Sequence, residues 1–322
     1  MSCNKRVVED GADDCRFKIK HDPPLCRRRG EYLCIDEIFD NMPNLSHSAR
    51  EMWVSCKRKY YLNKIKGIKS KQSKISLPLK NGTMWDKFIE NQYGKSHDLS
   101  QLAYQLDMTE LEIAKFNAIT HVYKKLKLAD RDTNTFELQK KIIIPGDGVN
   151  IVGYVDRAYE DHFVEVKMST RPQYYAEPFN IGFQVGLYFL SNPNWKYVVM
   201  EVTRTPSMTW DRENTDLGKY EELLAKDIYK KAPMYFPGLK RKDCTYGKKF
   251  FRAEFPLDNI AKTYERVNEE IKEAATKGED WFYQSFNCSS PYPCDFLPIC
   301  KDNVISNTLF EMRNKPEETE EG

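Results

Sequence analysis

The sequence lacks several features that would fix a protein's class at once. No apolar run in its 322 residues approaches the roughly 18 needed for a helical membrane span, so a membrane partner is not expected. The opening MSCNKRVVEDGADD has no apolar core of the signal-peptide kind, which points to the cytoplasm, or the host cytoplasm for a viral chain. There is no GxxxxGK[ST] phosphate loop, so no helicase motor is encoded. No internal repeat is visible, which argues against a solenoid or propeller. From Lys57 to Lys80 there is not one acidic residue.

What is present belongs to a folded protein. Hydrophobic residues make up 40% and aromatics 13%, enough to bury a substantial core. Nine cysteines, an odd number, argue against a complete disulfide framework and make metal or cluster ligation the reading to test. The net charge of +2 hides segregation along the chain. Lys57, Arg58, Lys59, Lys64, Lys66, Lys69, Lys71, Lys74 and Lys80 form one basic region, and Lys240, Arg241, Lys242, Lys248, Lys249 and Arg252 a second. Such stripes suit a polyanion such as nucleic acid; the plainer alternative is a solvated lysine-rich face.

Residues 1–45 show little periodicity and read as an extension. They hold Cys3, Cys15, Cys26 and Cys34, a conceivable zinc set but without a CxxC spacing. Ser46 is a plausible N-cap for a helix through SHSAREMWVSCKRKYYL, followed by a lysine-rich linker. A helix is expected from Gly82, with Met84, Phe88 and Ile89 inward and Asp86 and Glu90 sharing a face, and another over Met108–Leu128. The period then becomes two. Strands are expected at Thr135–Ile144, Val149–Tyr159 and Phe163–Met168, then a helix over 177–190, a strand at Trp195–Thr203, a helix from Asp216 to Lys230, a strand near Phe250–Phe255 and a helix from Leu257 to Lys277. This order predicts an α/β fold, a mixed central sheet flanked by helices, in a domain spanning 46–302; residues 303–322 read as an acidic, disordered tail.

The stretch IVGYVDRAYEDHFVEVK carries the chemistry. Folded as a hairpin turning at Glu160 and Asp161, it sets Asp156 opposite Glu165 and sends Lys167 to the same face, while Val164 and Val166 point into the core. Facing carboxylates repel unless a cation neutralises them, and a divalent metal is the natural candidate. Phosphodiester hydrolysis needs that set: carboxylates holding Mg²⁺ or Mn²⁺, and a lysine near the water and phosphate oxygens.

GYVD with Asp156, EVK with Glu165 and Lys167, and the pair Gln184 and Tyr188 on the following helix together resemble the RecB-like branch of the PD-(D/E)XK nucleases. The resemblance implies a restriction-endonuclease-like core. It also implies metal binding by Asp156 and Glu165, catalysis assisted by Lys167, and Gln184 and Tyr188 lining the DNA path. Where that branch usually carries a metal-binding histidine four residues after a glycine, this chain has Asp86 after Gly82; a carboxylate also ligates Mg²⁺ or Mn²⁺. The other reading of Asp86 is an exposed helix carboxylate.

Cys288, Cys294 and Cys300 recur every six residues in a proline- and aromatic-rich segment, 281–302, suited to a loop around a bound centre. Cys56 is the natural fourth ligand, and Cys244 has no partner in this scheme. One early and three late cysteines resemble the iron–sulfur nucleases of the same branch, AddB-type and CRISPR-associated exonucleases, which implies a [4Fe–4S] cluster. Zinc is the alternative for a four-cysteine centre, and unligated buried thiols are the plainest one. Lys57, Arg58 and Lys59 beside Cys56 would contact DNA phosphates. The expectation is therefore a deoxyribonuclease, an exonuclease on single-stranded or duplex ends, in recombination, repair or phage DNA metabolism, with a helicase or recombination protein as partner. The rival is a non-catalytic nucleic-acid-binding protein that keeps the fold and the cysteine centre.

Overall fold

Apolar faces at helical spacing and short runs rich in Ile and Val become, in the computed structural model, helices and a five-stranded sheet. The structure describes residues 6–7, 13–14, 42, 44–71, 75–129, 136–146, 149–278, 281–282, 288, 294–302, 305–306 and 308–312. The cysteines of the extension lie outside them. In chain order the principal elements are α1 (His47–Ser55), α2 (Leu77–Gln92), α3 (Leu99–Gln105), α4 (Glu110–Lys125), β1 (Glu137–Ile144), β2 (Ile151–Ala158), β3 (His162–Ser169), α5 (Pro178–Ser191), β4 (Tyr197–Arg204), α6 (Leu217–Lys230), β5 (Lys248–Phe251), α7 (Leu257–Lys277) and α8 (Leu297–Asp302). Contacts gather into two compact units. One comprises Met1–Ser73, Ile143–Val152 and Ala261–Gly322, the other Lys74–Ile142 and Gly153–Ile260.

In the second unit the sheet runs in the order β1-β2-β3-β4-β5. β2 and β3 are antiparallel, β3 and β4 parallel, β4 and β5 antiparallel. A parallel pair needs a crossover, and α5 supplies it, which carries that helix over the face of the strand it has just left. Strand alternation decides what each face holds. Val164, Val166 and Met168 pack with Met84, Trp85 and Phe88 of α2, Ile119 and Val122 of α4, and Leu224 and Ile228 of α6. Phe163, of the other parity, meets Tyr188 and Phe189 of α5 and Trp195 at ring separations of 4.9–5.6 Å.

One charged pair lies inside this core. Arg157 is registered against Val164 and Glu201 against Val166, so both stand on the α2 side with β3 between their strands. Their side chains are fully buried and ion-paired, and Arg157 Nη1 also donates to the Tyr93 hydroxyl at 2.6 Å. Burial works against the guanidinium charge, but Glu201 outweighs it and holds Arg157 above the usual arginine range.

In the first unit, Ser46 caps α1 as expected, its Oγ accepting from Ala49 N–H at 3.1 Å. The helix does not run on through Cys56. That residue is extended (φ −164°, ψ 111°), and a new turn, Lys57–Tyr60, starts after it and opens into a π turn over Tyr61–Ile65. Part of the expected linker is also structured: Ile68–Ser70 pairs antiparallel with Phe310–Met312, a strand within the segment read as a tail. Trp53 packs edge-on against Tyr60 at 5.3 Å and Phe282 at 5.9 Å, and its indole N–H donates to Glu270 Oε2 at 3.0 Å.

Three boundaries differ from expectation for local reasons. α2 begins at Leu77, with Pro78 in its first turn, so Gly82 lies inside the helix rather than starting it. α3 was not expected; the Asp98 carboxylate caps it by accepting from Ser100 and Gln101 N–H. β5 ends at Phe251, where a 3₁₀ turn over Arg252–Glu254 replaces the longer strand.

Glu201→Ala strands a buried guanidinium and is expected to cost about 3–5 kcal/mol of stability. The urea midpoint reads this, and a midpoint unchanged from the wild type would contradict the role given to the pair.

Candidate functional site

The hairpin turns at Glu160 and Asp161, where Tyr159 N–H donates to the His162 carbonyl at 2.9 Å. Its register pairs Ala158 with Phe163 and Arg157 with Val164. The paired register stops there, one residue short of the expected match of Asp156 with Glu165. Here a side chain enters the ladder: Val166 N–H donates to Asp156 Oδ2 at 2.7 Å. The other oxygen, Oδ1, accepts from the amide of Gln139 at 3.0 Å. Sequence reasoning missed Gln139, a residue of β1 with a backbone φ of +53°.

Glu165 is buried, and Lys167 donates to its Oε1. Gln184 Nε2 donates to the same oxygen at 2.7 Å and to the Tyr188 hydroxyl at 2.8 Å, and that hydroxyl donates to the Tyr154 carbonyl at 2.8 Å. The crossover helix thus braces Glu165 from above. Tyr188 is itself buried, and Gly153 makes room for it: a Cβ there would stand 2.8 Å from the Tyr188 ring. Glu165 Oε2 is left buried without a hydrogen-bond partner.

Asp86, half-buried on α2, is within electrostatic reach of this group. Burial first, and then the Asp156 charge, push its carboxyl up to about 7, against Lys167. Burial and then Asp156 push Glu165 up to about 8, with Lys167 opposing and Asp86 adding to the rise. Lys167 keeps its proton: Glu165 and Asp156 outweigh burial and hold it above the usual lysine range. Glu90, one turn along α2 from Asp86, shows the contrast. Burial raises it, but hydrogen bonds with Lys87 at 2.6 Å and His97 at 2.7 Å prevail and hold it below the ordinary range. Its charge is met locally, whereas Asp86, Asp156 and Glu165 have Lys167 as their common cation, with Lys87 adding to the relief at Asp86.

The cysteine set lies in the first unit. Cys56 Sγ accepts from Lys59 N–H at 3.4 Å, capping the turn that follows it. Cys294 N–H donates to the Cys288 carbonyl at 2.8 Å, and Cys300 lies on α8. Burial, then Cys294, Cys56 and Cys288, push the Cys300 thiol up to about 11 against Arg58; burial, then Cys56 and Cys294, raise Cys288. The four thiols are therefore within electrostatic reach of one another, while Cys244 plays no part in these shifts. Of the neighbouring basic residues, Lys57 lies 3.5 Å from Glu270 and over the Trp53 ring, and Arg58 lies over Tyr61.

Among the described residues no three His, Cys, Asp or Glu side chains are drawn together as metal ligands. The donor chemistry still fits the groups expected. Three mutually repelling carboxylates with one orphaned buried oxygen suit a hard divalent cation, and four thiols within electrostatic reach of one another, of which Cys288 and Cys300 are raised, suit a centre that takes thiolates. A cavity of about 750 Å³ lined by Lys196, Phe251, Arg252 and Phe255 includes none of these residues. No helix among the described residues is long and apolar enough to cross a membrane. The chain matches no protein-family model, and no curated protein matches it.

Glu165 and Asp86 hold protons in the fold that the unfolded chain releases nearer pH 4 to 5, so the cation-free protein loses stability as pH rises from there until it passes the folded values of about 7 and about 8. Thermal melts in EDTA from about pH 5 to 8 should show Tm declining. Mn²⁺ should offset the decline and Glu165→Gln should flatten it; a wild-type slope identical to that of the variant would refute the assignment.

Proposed function

We propose that the chain is a metal-dependent deoxyribonuclease with a restriction-endonuclease-like core, of the RecB-like PD-(D/E)XK kind. In this reading it is an exonuclease on single-stranded or duplex ends, serving recombination, repair or phage DNA metabolism. The observation that carries the reading is the electrostatic coupling of Asp86, Asp156, Glu165 and Lys167, together with a buried Glu165 Oε2 that has no hydrogen-bond partner. An antiparallel hairpin followed by a parallel crossover, with the crossover helix hydrogen-bonded to the second carboxylate, supports it further.

Each side chain has a part in the reaction. Asp86, Asp156 and Glu165 would hold Mg²⁺ or Mn²⁺, which supplies charge neutralisation for the scissile phosphate and acidifies water. Lys167 keeps its ammonium through the working pH range and presents it to a phosphate oxygen or to the attacking water. Gln184 fixes the orientation of Glu165, and Tyr188 fixes Gln184. The first of these ties α5 to β3, and the Tyr188 hydroxyl ties it to β2 through the Tyr154 carbonyl, so the site keeps its shape before a nucleic acid arrives.

For the cysteines the reading is a structural [4Fe–4S] cluster held by Cys56, Cys288, Cys294 and Cys300, with zinc as the competing occupant. The elevation of Cys288 by burial, Cys56 and Cys294, and of Cys300 by burial and all three other thiols, supports a shared centre, since a bound metal would take the protons' place. Lys57, Arg58 and Lys59 would then offer cationic contacts to the DNA backbone.

Purified protein with Mg²⁺ or Mn²⁺ is expected to degrade end-labelled single- or double-stranded DNA. Lys167→Ala should lower the rate by about 10²-fold or more. Wild-type cleavage no faster than that of the variant would leave the non-catalytic binding reading in its place. Anaerobically purified protein is expected to carry iron and acid-labile sulfide in the ratio of a four-iron cluster, and Cys294→Ser to lose both. Stoichiometric zinc without sulfide would overturn the cluster.

A further inference from the structure

Among the described residues four non-glycines have a positive φ: Asp107, Lys127, Gln139 and Cys244. Three have an ordinary reason. Asp107 and Lys127 follow the last turns of α3 and α4, and Cys244 follows a 3₁₀ turn, all positions where a left-handed residue terminates a helix. Gln139 does not fit that pattern. It stands inside β1, with φ +53°, where glutamine has no side chain to support a left-handed backbone. Local strain of this sort persists only where surrounding contacts demand it, and it collects at functional sites.

The side chain shows what the conformation achieves. Gln139 Nε2 donates to Asp156 Oδ1 at 3.0 Å, while Val166 N–H takes Oδ2 at 2.7 Å. With both oxygens held, the plane of the carboxylate is fixed. Each oxygen keeps a second lone pair, so the donor does not exhaust the ligand. Two donors also withdraw charge from Asp156, which stands against Glu165 and within reach of Asp86. Metal-binding carboxylates are commonly oriented by such outer partners.

We propose that Gln139 is a positioning residue for the cation site: its left-handed backbone brings the side-chain amide onto Asp156 and sets the carboxylate for ligation. This deepens the nuclease reading and rests on it. A glycine at 139 tolerates the positive φ without strain but has no amide. Asparagine tolerates it better than most residues but is one methylene too short to keep the contact.

The test measures three quantities on the wild type, Gln139→Gly and Gln139→Asn: Tm in EDTA, Mn²⁺ affinity by titration calorimetry, and kcat and KM on single-stranded DNA. Both variants are expected to melt no lower than the wild type, to bind Mn²⁺ about tenfold more weakly, and to lose kcat with KM for DNA unchanged. Equal Mn²⁺ affinity in the wild type and both variants would overturn the proposal alone, leaving the nuclease reading intact. So would a drop in Tm that accompanies the weaker binding, because the role would then be structural. A wild type that neither binds Mn²⁺ nor cleaves DNA would overturn the nuclease reading and this proposal with it.

Discussion

Repulsion among Asp86, Asp156 and Glu165 is the constraint around which the second unit is arranged. Lys167 is the cation common to all three, and Asp86 and Glu165 are pushed so far up that they retain protons near neutrality. On the other face of the sheet Arg157 and Glu201 close a buried ion pair from the strands on either side of β3. Adjacent residues of one strand, Asp156 and Arg157, thus take part in opposite electrostatic jobs because the pleat points them to opposite faces. Asp156 is held by hydrogen bonds from Gln139 and Val166, whereas Arg157 has its counter-ion built in.

Much of this was legible in the sequence. The alternation in GYVDRAY and HFVEVK showed which residues share a face, and the short EDH turn gave the register that pairs Ala158 with Phe163 and Arg157 with Val164. The helix over 177–190 was equally readable, and its place after β3 made it the crossover that carries Gln184 to Glu165. These features depend on neighbours in the chain, and local pattern predicts them well.

What escaped depends on partners distant in sequence or on atypical local chemistry. Arg157 looks like any polar strand residue until Glu201, two strands on, is folded against it. Gln139 gives no signal at all, because glutamine is not a residue expected at positive φ. The break at Cys56 was hidden because a thiol is not among the usual capping groups, so the helix was read straight through. Gly82 misled for the opposite reason: it looks like a helix boundary, whereas the true start is marked by Ser76 and Pro78. The seven residues of α3 are too few to show a period, and only Asp98 announces them.

The insertion of the Asp156 carboxylate into the strand pair has a spectroscopic consequence. The amide proton of Val166 reports directly on an oxygen of a candidate ligand, without any label at the site. Its chemical shift and its exchange with solvent give a residue-level signal of occupancy from the native backbone. A cation entering the site would be felt first as a change in one rung of the sheet.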